Sequence, residues 1–313
     1  MKTGPEENKL VKVSVVIPTY KRSEFLVRAL SSVLEQTWKE IEAVIVDDNG
    51  ADSPYRKDTQ KLLEPWREDQ RVRIVLNEKN LGGALARNEG IKACTGEYIT
   101  FLDDDDVFLP RKVEVQVTAM MENGWDMSFM DCDVSDMKGD IVDRRRHPDV
   151  DEHPDNEKLL ISHLVDPLTP TDTYMYRAET LRGIGMFDDV LTAQEYLLML
   201  KTITSGAKIG YIKQSLVMQY IHDGERMSFG KNKVTGETYL LSVKKKYFHL
   251  LTGKQRRFIV CRHHAVLFFA TLKRHEYAQA LKHMALAALT DPVTSARLFL
   301  DKVSMLKVKS PKA

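Results

Sequence analysis

Along the first half of the chain, short uninterrupted apolar runs alternate with stretches in which apolar residues recur every three or four positions. Residues 13–20, Val-Ser-Val-Val-Ile-Pro-Thr-Tyr, have the pattern of a strand buried on both faces, and Pro18 ends it. Phe25, Leu26, Ala29, Leu30 and Val33 then fall at helical spacing behind Ser23, a suitable cap. Residues 43–46 and 72–76 predict two more buried strands, residues 62–66 belong to a helix, and residues 84–94 predict a helix entered through Asn80-Leu-Gly-Gly83. An apolar strand from Tyr98 follows. This alternation predicts an α/β fold with a right-handed, doubly wound, mostly parallel sheet, while leaving the order of its strands open.

Beyond it the pattern predicts a strand within 125–136, a long polar surface loop at 138–155, then strand, turn and helix at 171–176, 183–189 and 193–204, and one or two strands within 208–221. The character changes to helices after Gly236. Tyr277, Leu281, Met284 and Ala288 share one helical face, and Val293, Ala296, Leu300 and Val303 share another behind the capping run Thr290-Asp-Pro292. The expected division is a catalytic domain over 1–230 and a basic helical region over 231–313.

Composition narrows the class. The chain has 313 residues, 43% of them apolar, enough for one large domain with an appendage. Cys94, Cys132 and Cys261 are odd in number and widely spaced, which argues against a disulfide framework or zinc cluster and for a reducing compartment. Residues 1–9 lack the apolar run of a signal peptide, and residues 258–272 are too short and too interrupted to span a bilayer, so a cytoplasmic location is expected. The net charge of +1 conceals −11 over residues 1–222 and +12 over residues 223–313. That imbalance suggests an acidic, metal-using half and a basic half that faces an anionic membrane surface or packs on the acidic half. No nucleic-acid partner is expected.

The candidate chemistry lies in Tyr98-Ile-Thr-Phe-Leu-Asp-Asp-Asp-Asp106. Four adjacent carboxylates repel one another unless a cation or ligand occupies the site. The same run could be a solvated loop leading into the helix that Leu109-Pro110 opens. Position favours the metal, because carboxylates at the C-terminal end of a buried parallel strand lie where open α/β sheets bind ligands. Oxygen ligands suit Mg²⁺ or Mn²⁺ holding a nucleotide diphosphate. No Walker loop, dinucleotide fingerprint or nucleophile elbow is present, which removes support for ATPase, dehydrogenase and serine hydrolase chemistry.

Six segments in order resemble the signatures of family 2 glycosyltransferases of the GT-A fold: Ser14-Val-Val-Ile-Pro-Thr-Tyr-Lys-Arg22, Val46-Asp-Asp-Asn49, Asn80-Leu-Gly-Gly-Ala-Leu-Ala-Arg-Asn88, Gly96 through Asp106, Gly185-Met-Phe-Asp188 and Gln194-Glu-Tyr196. The resemblance spans roughly residues 11–228. It implies an inverting, Mn²⁺- or Mg²⁺-dependent transfer from a nucleotide sugar, with UDP favoured over GDP, to a glycan or lipid-linked acceptor. Carried over by position, Pro18, Thr19 and Tyr20 line the nucleobase pocket, with Arg22 beside them. Asp48 accepts from the base imide, and Gly82 and Arg87 lie near ribose and diphosphate. Asp103 completes the acidic motif, Asp104 holds the ribose and Asp105 ligates the metal. Glu195 is the base, at a helix N-terminus that favours negative charge, with Asp188 and Asp189 as rivals. His222 and Arg226 close over the leaving diphosphate.

Two positions depart from the family pattern: Gln194-Glu195 stands where Glu-Asp is usual, and Leu197 where a second acid is usual. Two rival functions were weighed. A sugar nucleotidyltransferase would need a Gly-rich N-terminal loop, which residues 14–22 lack, and a non-catalytic nucleotide-sugar-binding module would not need Glu195.

Overall fold

The computed structural model describes residues 11–168, 170–221 and 231–308. They fall into two compact units, the first within Met1–Leu160, Leu168–Val190 and Gln194–Asp223, the second within Ile161–Pro167, Leu191–Ala193 and Gly224–Ala313.

In chain order the elements before residue 222 are β1 (Val13–Thr19), α1 (Ser23–Leu34), β2 (Ile41–Asp47), α2 (Pro54–Leu63), β3 (Val72–Leu76), α3 (Gly83–Ala93), β4 (Tyr98–Phe101), β5 (Val107–Phe108), α4 (Lys112–Asn123), β6 (Met127–Asp136), β7 (Ile141–Arg145), α5 (Asn156–Val165), β8 (Met175–Arg177), α6 (Ala178–Gly183), α7 (Gln194–Thr204) and β9 (Ile209–Ile221). The nine strands form one sheet in the order β3-β2-β1-β4-β8-β6-β9-β5, with β7 paired to β6. Strands β3, β2, β1 and β4 are parallel neighbours, and β8 then enters antiparallel between β4 and β6. The expected α/β sheet is present, with its parallel part concentrated where the candidate residues lie.

Val13, Val15 and Ile17 of β1 share a core cluster with Leu26, Ala29, Leu30 and Val33 of α1. The other face meets α3, whose Gly90 comes so close that an added Cβ would stand 2.4 Å from Val16 Cγ1 and 2.9 Å from Val46 Cγ2. Those methyls belong to stiff, fully buried β-branched side chains and cannot swing away. Gly90→Ala is therefore expected to destabilise the protein by about 1–3 kcal/mol despite the better helix propensity of alanine. Urea denaturation checks this, and an unchanged or higher midpoint would show that α3 can retreat from the sheet.

Several segments differ from the sequence-based expectation. β1 continues through Pro18, Ser23 is the first residue of α1 rather than its cap, and Glu64–Trp66 is a 3₁₀ turn following α2. β7 lies inside the stretch read as loop; its side chains are mostly exposed, so it is held by its backbone ladder to β6, and its two apolar residues, Ile141 and Val142, are too few to form a strand pattern. A two-residue strand, β5, follows the acidic run, and α4 starts at Lys112 rather than at Pro110. The predicted strand over 171–176 is a 3₁₀ turn at Thr171–Thr173 followed by β8. All three cysteines are buried and unpaired.

The second unit contains α8 (Lys231–Lys245), α9 (Gly253–Lys273), α10 (Tyr277–Thr290) and α11 (Pro292–Val308). A capping box between Thr252 and Gln255 opens α9, and Asp291 Oδ1 accepts from the Thr294 N–H at 3.0 Å to cap α11. Against α9, α10 buries small residues, Ala280 and Ala287, and the Cys261 thiol donates to the Ala287 carbonyl. Tyr277, Leu281 and Met284, the larger apolar face of α10, are exposed. Among the described residues, no helix is long and apolar enough to cross a membrane.

Candidate active site

Because β1 to β4 are parallel and in register, with Thr19, Asp47 and Leu76 level, their C-terminal ends form one edge. Asp48 is the organiser of its left side. Its Oδ1 accepts from Asn77 Nδ2 at 2.8 Å and the Leu81 N–H at 2.9 Å; its Oδ2 accepts from Asn80 Nδ2 at 3.1 Å and the Gly82 N–H at 2.9 Å. One carboxylate thus fixes the entry into α3, where Gly82 adopts φ 82°, a left-handed conformation that suits glycine. Burial raises the Asp48 pKa, which the Asn77 side chain and the Leu81 and Gly82 N–H groups oppose. Asp47 faces the other way, ion-paired to Arg56 Nε at 2.9 Å, and Arg56 also donates to the Asn77 carbonyl.

Tyr20 is exposed, and Lys21 takes φ 59° with its N–H donated to Asn49 Oδ1 at 2.8 Å. Lys21 Nζ lies over the rings of Tyr20 and Tyr55 at 4.9 and 5.7 Å, so two aromatic faces stand at this corner. Pro18 pairs with Val46 in the sheet, and Thr19 turns its hydroxyl inward to Asp104 Oδ2 at 2.7 Å.

The four acids separate into distinct environments. Arg22 contacts two of them, with Nη1 2.6 Å from Asp105 Oδ2 and Nη2 3.0 Å from Asp104 Oδ1. The second contact lacks hydrogen-bond alignment, so the buried Asp104 Oδ1 has no hydrogen-bond partner. Burial pushes the Asp104 pKa up to about 7, with Arg22 pulling the other way. Arg28 donates to the Asp105 carbonyl at 2.6 Å and stacks over the Tyr220 ring at 3.9 Å. Asp103 pairs with Arg87, and its N–H donates to Asp172 Oδ1 at 3.0 Å. Asp106 accepts from the Tyr220 N–H at 2.9 Å and from Gln219 Nε2 at 3.0 Å; Gln219 also donates to Asp172 at 2.8 Å.

Asp103, Asp106 and Asp172 each place a carboxylate oxygen within 4.8 Å of the other two. Asp172 is fully buried, which pushes its pKa up to about 7, and burial next to Asp172 raises Asp106 well above the usual range. An all-oxygen donor set with an orphaned buried Asp104 oxygen beside it fits a hard divalent cation. Asp105, the ligand expected from the resemblance, is engaged with Arg22, and the trio is a second set of donors next to it.

Glu195 stands in the first turn of α7. Arg87 reaches toward it from α3: the buried guanidinium holds Asp103 with Nη2 and donates through Nη1 to Gln194 Oε1 at 3.3 Å. Burial works against the charge of Arg87, but Asp103, Asp172 and Glu195 outweigh it and raise its pKa. Of the two rival acids, Asp188 accepts from Lys201 Nζ at 2.8 Å. The Gly185-Met-Phe turn is clamped to α3 by Asn88, which exchanges two hydrogen bonds with the Phe187 backbone.

The structure therefore brings Thr19, Arg22, Arg87, Asp103, Asp104 and Asp105 into one connected network, with Asp48 and Gly82 in a neighbouring one and Pro18 and Tyr20 on the flanking strand end. His222 and Arg226 lie outside the described residues. Sequence reasoning missed Asp172, Gln219, Arg28 and Tyr55. Only Asp172 had a visible signal, an acid just before an apolar strand in Pro170-Thr-Asp-Thr-Tyr174. It missed too the fully buried Lys112, whose pKa burial drives well down and whose Nζ donates to Thr100.

In an α/β fold, the acidic strand edge is thus joined through Arg87 to Gln194, which precedes Glu195 in the first turn of α7. The chain belongs to glycosyl transferase family 2, whose sequence model matches residues 14–182. A glycosyltransferase of Rickettsia felis is 40% identical over 132 residues, which cover 42% of this chain and 21% of that protein. Matches to the first Rickettsia relatives thus span about a fifth of their length. An Escherichia coli enzyme named UDP-Glc:alpha-D-GlcNAc-diphosphoundecaprenol beta-1,3-glucosyltransferase is 36% identical over 118 residues, 38% of this chain and 44% of its own. The crystal structure of S. aureus TarS 1-349 in complex with UDP-GlcNAc superposes with a TM-score of 0.56 over 89% of this chain and 71% of that one at 18% identity, which establishes the fold.

Proposed function

We propose that the chain is an inverting, divalent-metal-dependent transferase that moves a sugar from a UDP-sugar to a hydroxyl of a lipid-linked glycan. The observation that carries this is the Arg87 bridge between Asp103 and Gln194, which ties the donor edge to the carboxylate-bearing end of α7. The donor and acceptor classes draw support from the E. coli relative, whose name gives UDP-glucose and a diphosphoundecaprenol-linked sugar.

Tyr20, with Pro18 and Thr19, offers the nucleobase a face at the end of β1, and Tyr55 adds a second ring. A base imide that reads Asp48 must compete with Asn80 Nδ2, the longest of its four contacts. Asp105 together with Asp103, Asp106 and Asp172 would hold Mn²⁺ or Mg²⁺, which supplies positive charge opposite the departing diphosphate. Glu195 accepts the acceptor hydroxyl proton as that oxygen bonds to the anomeric carbon and the bond to the diphosphate oxygen breaks. The opposed approach inverts the anomeric configuration.

A panel of UDP- and GDP-sugars with Mn²⁺ and a diphosphate-linked lipid acceptor tests this by nucleotide release and product configuration. UDP-sugars turned over with inversion are expected. Turnover of GDP-sugars alone, or a retained configuration, would overturn the proposal.

A further inference from the structure

In the second unit α10 is inverted, whereas α11 packs Phe299 against Phe268 and Phe269 of α9. Amphipathic helices normally bury their large apolar side chains, yet α10 buries Ala280 and Ala287 and exposes Tyr277, Leu281 and Met284. Exposed apolar residues continue across the α10–α11 joint: Leu289 is 82% exposed, Val293 81% and Leu300 70%. Ala288 and Ala296 extend these outward faces. Contiguous apolar surface of this kind marks an interaction site.

The charge around it identifies the occupant. Residues 223–313 carry +12. Lys282 follows Leu281 on the exposed side of α10, and Arg297 lies between Val293 and Leu300 on the exposed side of α11. The acids in and beside these helices are Glu276, ion-paired to Arg274 at 2.5 Å, Asp291, spent on capping α11, and Asp301 within α11. Apolar side chains flanked by basic ones, on helices too short and polar to cross a membrane, are the chemistry of an element lying in the headgroup layer. A second copy would bring two +12 regions together, which electrostatics disfavours.

We propose that the outward faces of α10 and α11 dock on an anionic lipid bilayer, with Tyr277, Leu281, Met284, Leu289, Val293 and Leu300 entering the interface and Lys282 meeting lipid phosphate. This does not depend on the donor, acceptor or metal of the transfer reaction.

Co-sedimentation of the full chain with phosphatidylglycerol/phosphatidylcholine vesicles tests it, beside pure phosphatidylcholine vesicles and at low and high salt. The expected result is binding to the anionic vesicles that weakens with salt and falls about tenfold or more in Leu289→Glu/Val293→Glu/Leu300→Glu. Leu289→Glu alone, at a side chain already in solvent, gives a smaller loss in a protein whose melting temperature is unchanged. Equal binding to neutral vesicles, no binding at low salt, or binding indifferent to the triple substitution overturns the proposal. So does a stable dimer in light scattering that the triple substitution dissociates without any vesicle binding, which would assign the face to a second copy.

Discussion

Glu195→Gln is expected to lower sugar transfer by about 10²-fold or more while nucleotide-sugar affinity stays within a few-fold of the parent. Glutamine keeps the shape of the side chain and loses the ability to take a proton. The position is well supported by its surroundings: Gln194, the preceding residue, is held by Arg87, so the first turn of α7 is anchored to the same guanidinium that holds Asp103. Of the two rivals upstream, Asp188 is engaged by Lys201, whose Nζ also donates to the Met186 carbonyl, an arrangement that secures a turn. Single-turnover transfer measured beside calorimetric UDP binding separates chemistry from binding. Near-normal transfer in Glu195→Gln, with loss in Asp188→Asn, would place the base upstream.

Removing divalent metal is expected to abolish transfer, and Asp105→Ala or Asp172→Asn to reproduce much of that loss. The acidic edge already behaves as a site short of positive charge. Arg22 is drawn onto Asp104 and Asp105, and burial pushes Asp104 and Asp172 up to about 7. The sign of the pH effect follows. Both folded pKa values lie above the ordinary aspartate value of 3.8, so without metal the contribution of these groups to stability is present below about pH 4 and is lost as pH rises through 7. A cation reverses this by replacing the protons. Mn²⁺ binding should therefore tighten as pH rises through 7 and release protons near pH 6. Calorimetry in buffers of different protonation enthalpy measures that release. Metal binding with no proton release at pH 6, or full activity in a chelator, would count against these carboxylates as the cation site.

Several parts of this picture are local properties of the chain. The continuous apolar run of residues 13–20 specifies a strand buried on both faces because only a sheet covered by helices on both sides can accept it, and β1 occupies Val13–Thr19, passing through Pro18 rather than ending at it. Alternation of such runs with helical periodicity specifies the α/β class, and the segments around Asp48, Arg87 and Asp103–Asp106 carry the family resemblance within a few residues each. β7 was illegible for the complementary reason: a strand exposed on its side chains is held by its backbone bonds to β6, which leave no trace in hydrophobicity.

What the sequence by itself determined is thus the class of fold, the family, and the carboxylate runs at strand ends, since burial and backbone preference act over a turn or a strand. Tertiary structure alone decided which acids meet and which faces stay wet. Asp172 accepts a hydrogen bond from Asp103 across 69 positions, and Arg87 reaches Gln194 across 107. Neither pairing exists until β8 inserts beside β4 and α7 docks. In α10 the periodicity of Tyr277, Leu281, Met284 and Ala288 marks a face without saying where it looks. Its direction was settled by close packing, because Ala280 and Ala287 let α10 approach α9 and leave the larger side chains outside.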